Sequence, residues 1–109
     1  MKRIRMKTLY GGAEFEYLGT LEAGTDIYFG EDFNSHQFVS SDDYRKLLIN
    51  FRGKKAKTGF THANKLPEGS LGEWLKINVS SVNLGSYVAS ILKKEGLLEY
   101  PQKGWLHFK

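Results

Sequence analysis

A chain of 109 residues, 40% hydrophobic and carrying seven Phe, six Tyr and two Trp, is long enough for one domain with a modest core, or two small subdomains at most. It has no cysteine, which excludes disulfides and thiolate chemistry and favours a cytoplasmic setting. No apolar run approaches the ~20 residues of a membrane span, and no apolar stretch follows the basic first seven residues, so they do not read as a secretion signal. The net charge of +4 hides an asymmetry. Residues 1–7 hold four cations and no acid, residues 8–44 eight acids and no Lys or Arg, and residues 45–109 twelve cations and four acids. A basic second part suits nucleic acid, although two ordinary solvated surfaces account for the same numbers.

Residues 7–10 read as a first short strand, ended by Gly11-Gly12. Residues 13–21 open with acid/aromatic alternation, the period-two pattern of a half-buried strand, and Gly19 within them suggests a bulge or bend. Turns at 23–25 and 30–35 bracket strands at 26–29 and 36–39, giving an antiparallel meander. At Ser40-Ser41-Asp42-Asp43 the period changes. A serine cap with acids in the first turn opens a helix whose apolar positions are Tyr44, Leu47, Leu48 and Phe51, ending near Gly53. The polar connector 53–69 is long for a plain loop, so a strand at 58–61 or a functional loop is expected within it. Ser70 and Glu73 fit a capping box for a second helix with Leu71, Trp74 and Leu75 on one side.

The last thirty residues organise the rest. Ser80 or Ser81 is the expected N-cap of a third helix with an apolar stripe at Leu84, Val88, Ile91 and Leu92. Lys93 and Lys94 suit the dipole of its last turn and Gly96 its end. Residues 97–100 and 105–108 then form two strands around a turn at 101–104.

A short helix, a capped helix and a two-stranded ribbon over about residues 68–109 resemble a winged helix-turn-helix. The chain as a whole is similar to small uncharacterised domains that accompany restriction endonucleases and phage genes. That likeness lies in residues 38–48, 69–75 and 86–96. The fold expected is therefore α+β in a single domain: an N-terminal antiparallel β-meander (1–40) packed with a three-helix, winged-helix-like part (41–109). The resemblance implies a DNA-binding module, a regulator or an accessory of a phage or restriction system, with a twofold homodimer as the usual arrangement of a repressor.

On the third helix, Ser86, Ala89, Ser90 and Lys93 should lie opposite the apolar stripe, with Asn83 and Lys94 to one side. Ser, Asn and Lys can meet base edges or phosphates, but Arg and Gln, the usual readers of a recognition helix, are absent there. Lys103 at the wing tip is a phosphate contact or an ordinary hairpin cation, and Trp105 is expected to pack beneath the wing in preference to stacking on a base. Arg52, Lys54, Lys55 and Lys57 form the densest basic patch, suited to a phosphate backbone and equally to a solvated loop.

Catalysis finds no support in the sequence. His36, His62 and His107 have no metal-ligand spacing, and no acid is followed two residues later by Lys, as a nuclease signature requires. No P-loop, GxSxG or strand-to-helix GxGxxG is present, and no cofactor or metal is expected. The competing reading is a protein-interaction module or an inhibitor of a nucleic-acid enzyme. In it, Glu14, Glu16, Glu22, Asp26, Glu31 and Asp32 on the meander engage a basic partner in place of phosphates. One contiguous acidic face would favour that reading. Dispersed acids would leave DNA binding ahead.

Overall fold

The computed structural model describes residues 2–9, 13–59, 67–102 and 104–109. Among these residues the fold is α+β, with a four-stranded antiparallel sheet, three helices and a three-stranded antiparallel sheet. In chain order the elements are β1 (Ile4–Lys7), β2 (Glu14–Thr20), β3 (Gly24–Phe29), β4 (Ser35–Val39), α1 (Ser41–Phe51), β5 (Lys55–Lys57), α2 (Leu71–Asn78), α3 (Gly85–Lys94), β6 (Leu98–Gln102) and β7 (Trp105–Phe108). A one-turn 3-10 helix, Glu31–Phe33, joins β3 to β4.

The meander pairs in the order β1-β2-β3-β4, and period-two alternation sorts its side chains. Phe15, Tyr17, Ile27 and Val39 are buried on one face, while Glu14, Glu16, Asp26, Tyr28, His36 and Phe38 stand on the other. The first strand runs at Ile4–Lys7 instead of 7–10. That register sets Met6 opposite Phe15 and Ile4 opposite Tyr17, on the core side. Tyr10 lies outside the described residues. Gly19 is no bulge, since pairing runs unbroken from Leu18↔Asp26 to Thr20↔Gly24. Its φ is +114°, and a Cβ there would stand 2.2 Å from the Gly24 carbonyl oxygen, so only glycine fits. A register irregularity does occur between Glu99 and Gln102 on β6, around Pro101, whose missing N–H cannot join the ladder.

Helix α1 begins as the sequence predicts. Ser40 Oγ accepts from the Asp43 amide (3.0 Å), and Asp43 Oδ2 accepts from the Ser40 amide (3.2 Å), closing a capping box. On the surface, hydrogen bonds from Arg45 and Lys46 hold the Asp42 carboxyl below its ordinary pKa. The opposite face buries Tyr44, Leu47 and Phe51. Helix α3 ends in a Schellman arrangement, with the Gly96 amide on the Lys93 carbonyl, the Leu97 amide on the Leu92 carbonyl, and Gly96 at φ +77°. The second sheet has the order β5-β7-β6. Its strand from the connector is Lys55–Lys57, earlier than the expected 58–61, because Ala56 must face Leu106 across β7 and bury with it. Phe60 and Thr61 lie outside the described residues.

One buried core joins the two sheets through α1 and α3. Its polar bond is Tyr44 Oη to Thr25 Oγ1 at 2.6 Å, linking α1 to β3, with both residues at most 1% exposed. Burial pushes the Tyr44 hydroxyl above its ordinary pKa. The unfolded chain therefore loses this proton from about pH 10 while the native state keeps it, and the stability carried by the neutral phenol declines as pH rises through 10. Tyr44→Phe strands the Thr25 hydroxyl. It should cost about 1–2 kcal/mol in urea unfolding at pH 7, with the deficit shrinking above pH 10. Combining it with Thr25→Val should recover most of the loss at pH 7.

Candidate functional site

The approach to α3 is fixed by three glycines and one asparagine. Asn83 Nδ2 donates to the Gly59 carbonyl (2.9 Å), while Asn83 Oδ1 accepts from the Gly85 amide (3.0 Å). The Gly72 amide at the start of α2 donates to the Thr58 carbonyl (3.0 Å). A Cβ on Gly72 would stand 2.6 Å from the Gly59 oxygen, and one on Gly85 would stand 3.1 Å from both the Gly72 Cα and the Thr58 oxygen. Connector, α2 and α3 thus meet backbone to backbone, and Asn83 bolts them together. The expected cap at Ser80 or Ser81 is displaced by this junction. Helix α3 starts at Gly85 with no side-chain cap. Ser80 instead donates its hydroxyl to Gln37 Oε1 of β4 (3.0 Å) and accepts from the Val82 amide. By contrast, α2 keeps the expected Ser70 cap, with the return bond of the box shifted one residue from Ser70 to Gly69. Ser70 Oγ accepts from the Glu73 amide, and Glu73 reaches back to the Gly69 amide.

Helix α3 does not present the face that its sequence predicts. Ala89 is fully buried and Ser90 is 2% exposed, its hydroxyl donating to the Ser86 carbonyl (3.0 Å). The helix packs against α2, β6 and the meander at once. Tyr87 wedges between Phe15 (ring centroids 5.1 Å apart) and Phe29 (5.0 Å), and Lys94 Nζ donates to Tyr17 Oη (2.9 Å). That hydrogen bond raises the Lys94 pKa. Ser90 and Asn83 are therefore unavailable to a ligand. Half-buried Ser86 and exposed Lys93, seven residues apart on one side, are what the helix offers besides Lys94.

The cations of the connector separate into two places. Arg52, the C-cap of α1, lines a groove with Leu48, Ile49, Leu97 and Lys109. Lys55 and Lys57 stand on the outer face of β5, with Lys54 exposed just before them. Antiparallel pairing sets Lys57 opposite Trp105 and Lys55 opposite His107. Trp105 does not pack beneath the wing. On β7 it is Leu106 and Phe108 that point into the core, so Trp105 and His107 point out. Lys57 Nζ lies 5.7 Å from the Trp105 ring centroid, and Lys55, Pro101, Trp105 and His107 line a groove of about 420 Å³. The acid on this face is Glu99, opposite His107, with Lys109 Nζ 3.7 Å from its carboxylate. Beneath the sheet, Phe108 stacks on Phe51 at 4.9 Å, and Phe51 meets Trp74 edge-on at 6.4 Å, which backs the face with an aromatic layer. Lys103 lies outside the described residues. The strand alternation Trp-Leu-His-Phe, with Leu106 and Phe108 inward, is the sequence signal for this outward pair.

Glu14, Glu16 and Asp26 share the meander's open face but each has a basic partner there. Glu16 receives Arg3 (3.4 Å) and Arg5 (3.1 Å), Glu14 lies 3.8 Å from Arg5, and Asp26 lies 2.7 Å from His36 Nε2. Glu22 sits in the turn after β2, and Glu31 and Asp32 in the turn after β3, at opposite ends of the sheet. Among the described residues no group of three His, Cys, Asp or Glu is placed to hold a metal ion, and no helix is long and apolar enough to cross a membrane. The chain matches no protein-family model, no curated protein and no solved structure.

The role assigned to Asn83 is testable. Asn83→Ala should lower stability by about 1–3 kcal/mol in chemical denaturation, because it unpairs the buried ends of two elements.

Proposed function

We propose that the chain is a DNA-binding protein of winged-helix type that contacts the phosphate backbone with the outer face of its second sheet, in place of the third helix. The observation that carries this reading is the juxtaposition of Lys55, Lys57, Trp105 and His107 on that face, with Lys54 beside it and Glu99 paired to Lys109. Lysines on a firm strand meet phosphates without the ordering cost of a loop, and the displaced counterions give a salt-dependent affinity.

The winged-helix part of the reading is supported by chain order. Residues 41–109 run helix, strand, helix, helix, strand, strand, and the strand between the first two helices pairs with the last strand. The burial of Ala89 and Ser90 argues against a groove-reading third helix, so sequence-specific readout is not part of the proposal. Paired acids on the meander do not support a phosphate mimic that inhibits a nucleic-acid enzyme. A regulator or accessory protein in the cytoplasm fits both the fold and the absence of cysteine.

The test is a titration against a mixed-sequence duplex at several salt concentrations. The parent should bind with an affinity that falls steeply with salt. Lys55→Gln/Lys57→Gln should reduce the slope of log K against log salt by about 1.8, close to 0.9 for each phosphate that is no longer neutralised. Lys93→Ala should change affinity less than twofold. An unchanged slope in the double variant, or a large effect of Lys93→Ala, would overturn this interface.

A further inference from the structure

We infer that the groove beside Trp105 is a stacking site for one unpaired nucleobase, so that the second sheet prefers single-stranded to duplex nucleic acid. The inference rests on the nucleic-acid reading of the same face and adds the form of strand it takes. Trp105 and His107 project from one face of β7 two residues apart, about 7 Å along the strand, which is close to twice the ~3.4 Å step between stacked bases. That spacing leaves room for one flat ring in the groove that both side chains line. The groove that lies there, about 420 Å³ and lined by Lys55, Pro101, Trp105 and His107, falls within the ~300–1,000 Å³ of small-ligand sites.

The surroundings suit a nucleotide. Lys55 lines the groove and Lys57 extends from the same strand over the indole, so two ammonium groups flank the site where successive phosphates would run. The register irregularity of β6 beside Pro101 carries that strand out of regular pairing at the groove's edge. Glu99, the acid of this face, is answered by Lys109. A base held in a duplex is paired and stacked and cannot enter. Unpaired bases have free faces, and stacking on an aromatic side chain with cations tracking the backbone is how single strands are held without sequence preference.

The experiment uses the intact chain carrying Trp74→Phe, which leaves Trp105 as the fluorescent reporter, with a short mixed-sequence DNA strand and its duplex as probes. The single strand should quench Trp105 and bind at least about fivefold more tightly than the duplex. Trp105→Leu should weaken single-strand binding by about tenfold and duplex binding much less, so that the preference is lost, whereas Trp105→Phe should retain most of it. The quench itself, read on unmutated Trp105, guards against a misfolded leucine variant. An unquenched indole with equal affinity for both probes, while the lysine double variant still flattens the salt slope, would overturn the stacking site and leave the backbone contact standing. Failure of both probes to bind at low salt would remove the two together.

Discussion

Helix α3 is buried on two sides, and the rest of the structure depends on that constraint. Val88, Ala89, Ser90, Ile91 and Leu92 are all at most 2% exposed, a run without the polar side that a surface helix keeps. The helix meets α2 and β6 of the second sheet, and Tyr87 enters the aromatic layer of the meander. Each fully buried aliphatic side chain contributes roughly 1.5–3 kcal/mol, so Val88, Ile91 and Leu92 alone hold the two halves of the chain together by several kcal/mol. The same packing takes the helix away from any groove. The helix is the centre of this fold instead of a surface element.

With α3 inside, charge decides what the outside can do. The sequence is acidic early and basic late, yet position in the fold changes the meaning of both. Arg3, Arg5 and His36 answer the acids on the meander's open face, and the remaining acids fall at opposite ends of it. The late cations are not a loop cluster. Two of them are set by strand geometry beside Trp105 and His107, and Arg52 is directed to a different groove by the end of α1. An aromatic pair beside two lysines, backed by the Phe51–Phe108 stack, is the surface on which the proposed contact rests.

Local signals are legible where a few neighbouring residues settle the matter. Ser40 with Asp43, Ser70 with Glu73, the Gly96 stop and the alternation of β2 each depend on bonds within four residues or on a simple period. The start of α3 is not legible, because Ser80 and Ser81 are good caps locally while Asn83 is held by Gly59, twenty-four positions away. Ser90 looks exposed in sequence for a related reason. Its surface is covered by tertiary packing that the helix's own periodicity does not contain. A strand in the connector is legible but its position is not, since its register comes from Ala56 meeting Leu106 half a chain away. The general tendency of tryptophan to bury misleads at Trp105, where the alternation that Leu106 and Phe108 impose prevails. Gly19 suggests a bulge in sequence, whereas the fold needs a missing side chain beside Gly24.

The most direct test of where this protein meets its ligand is amide chemical-shift mapping by NMR during titration with a short DNA strand. Placing the contact on the second sheet predicts that the largest shifts fall on residues 54–57 and 104–108, with residues 86–94 nearly unmoved. Shifts concentrated on Ser86, Lys93 and the turn before α3, with β5 and β7 silent, would contradict it and return the contact to the helix.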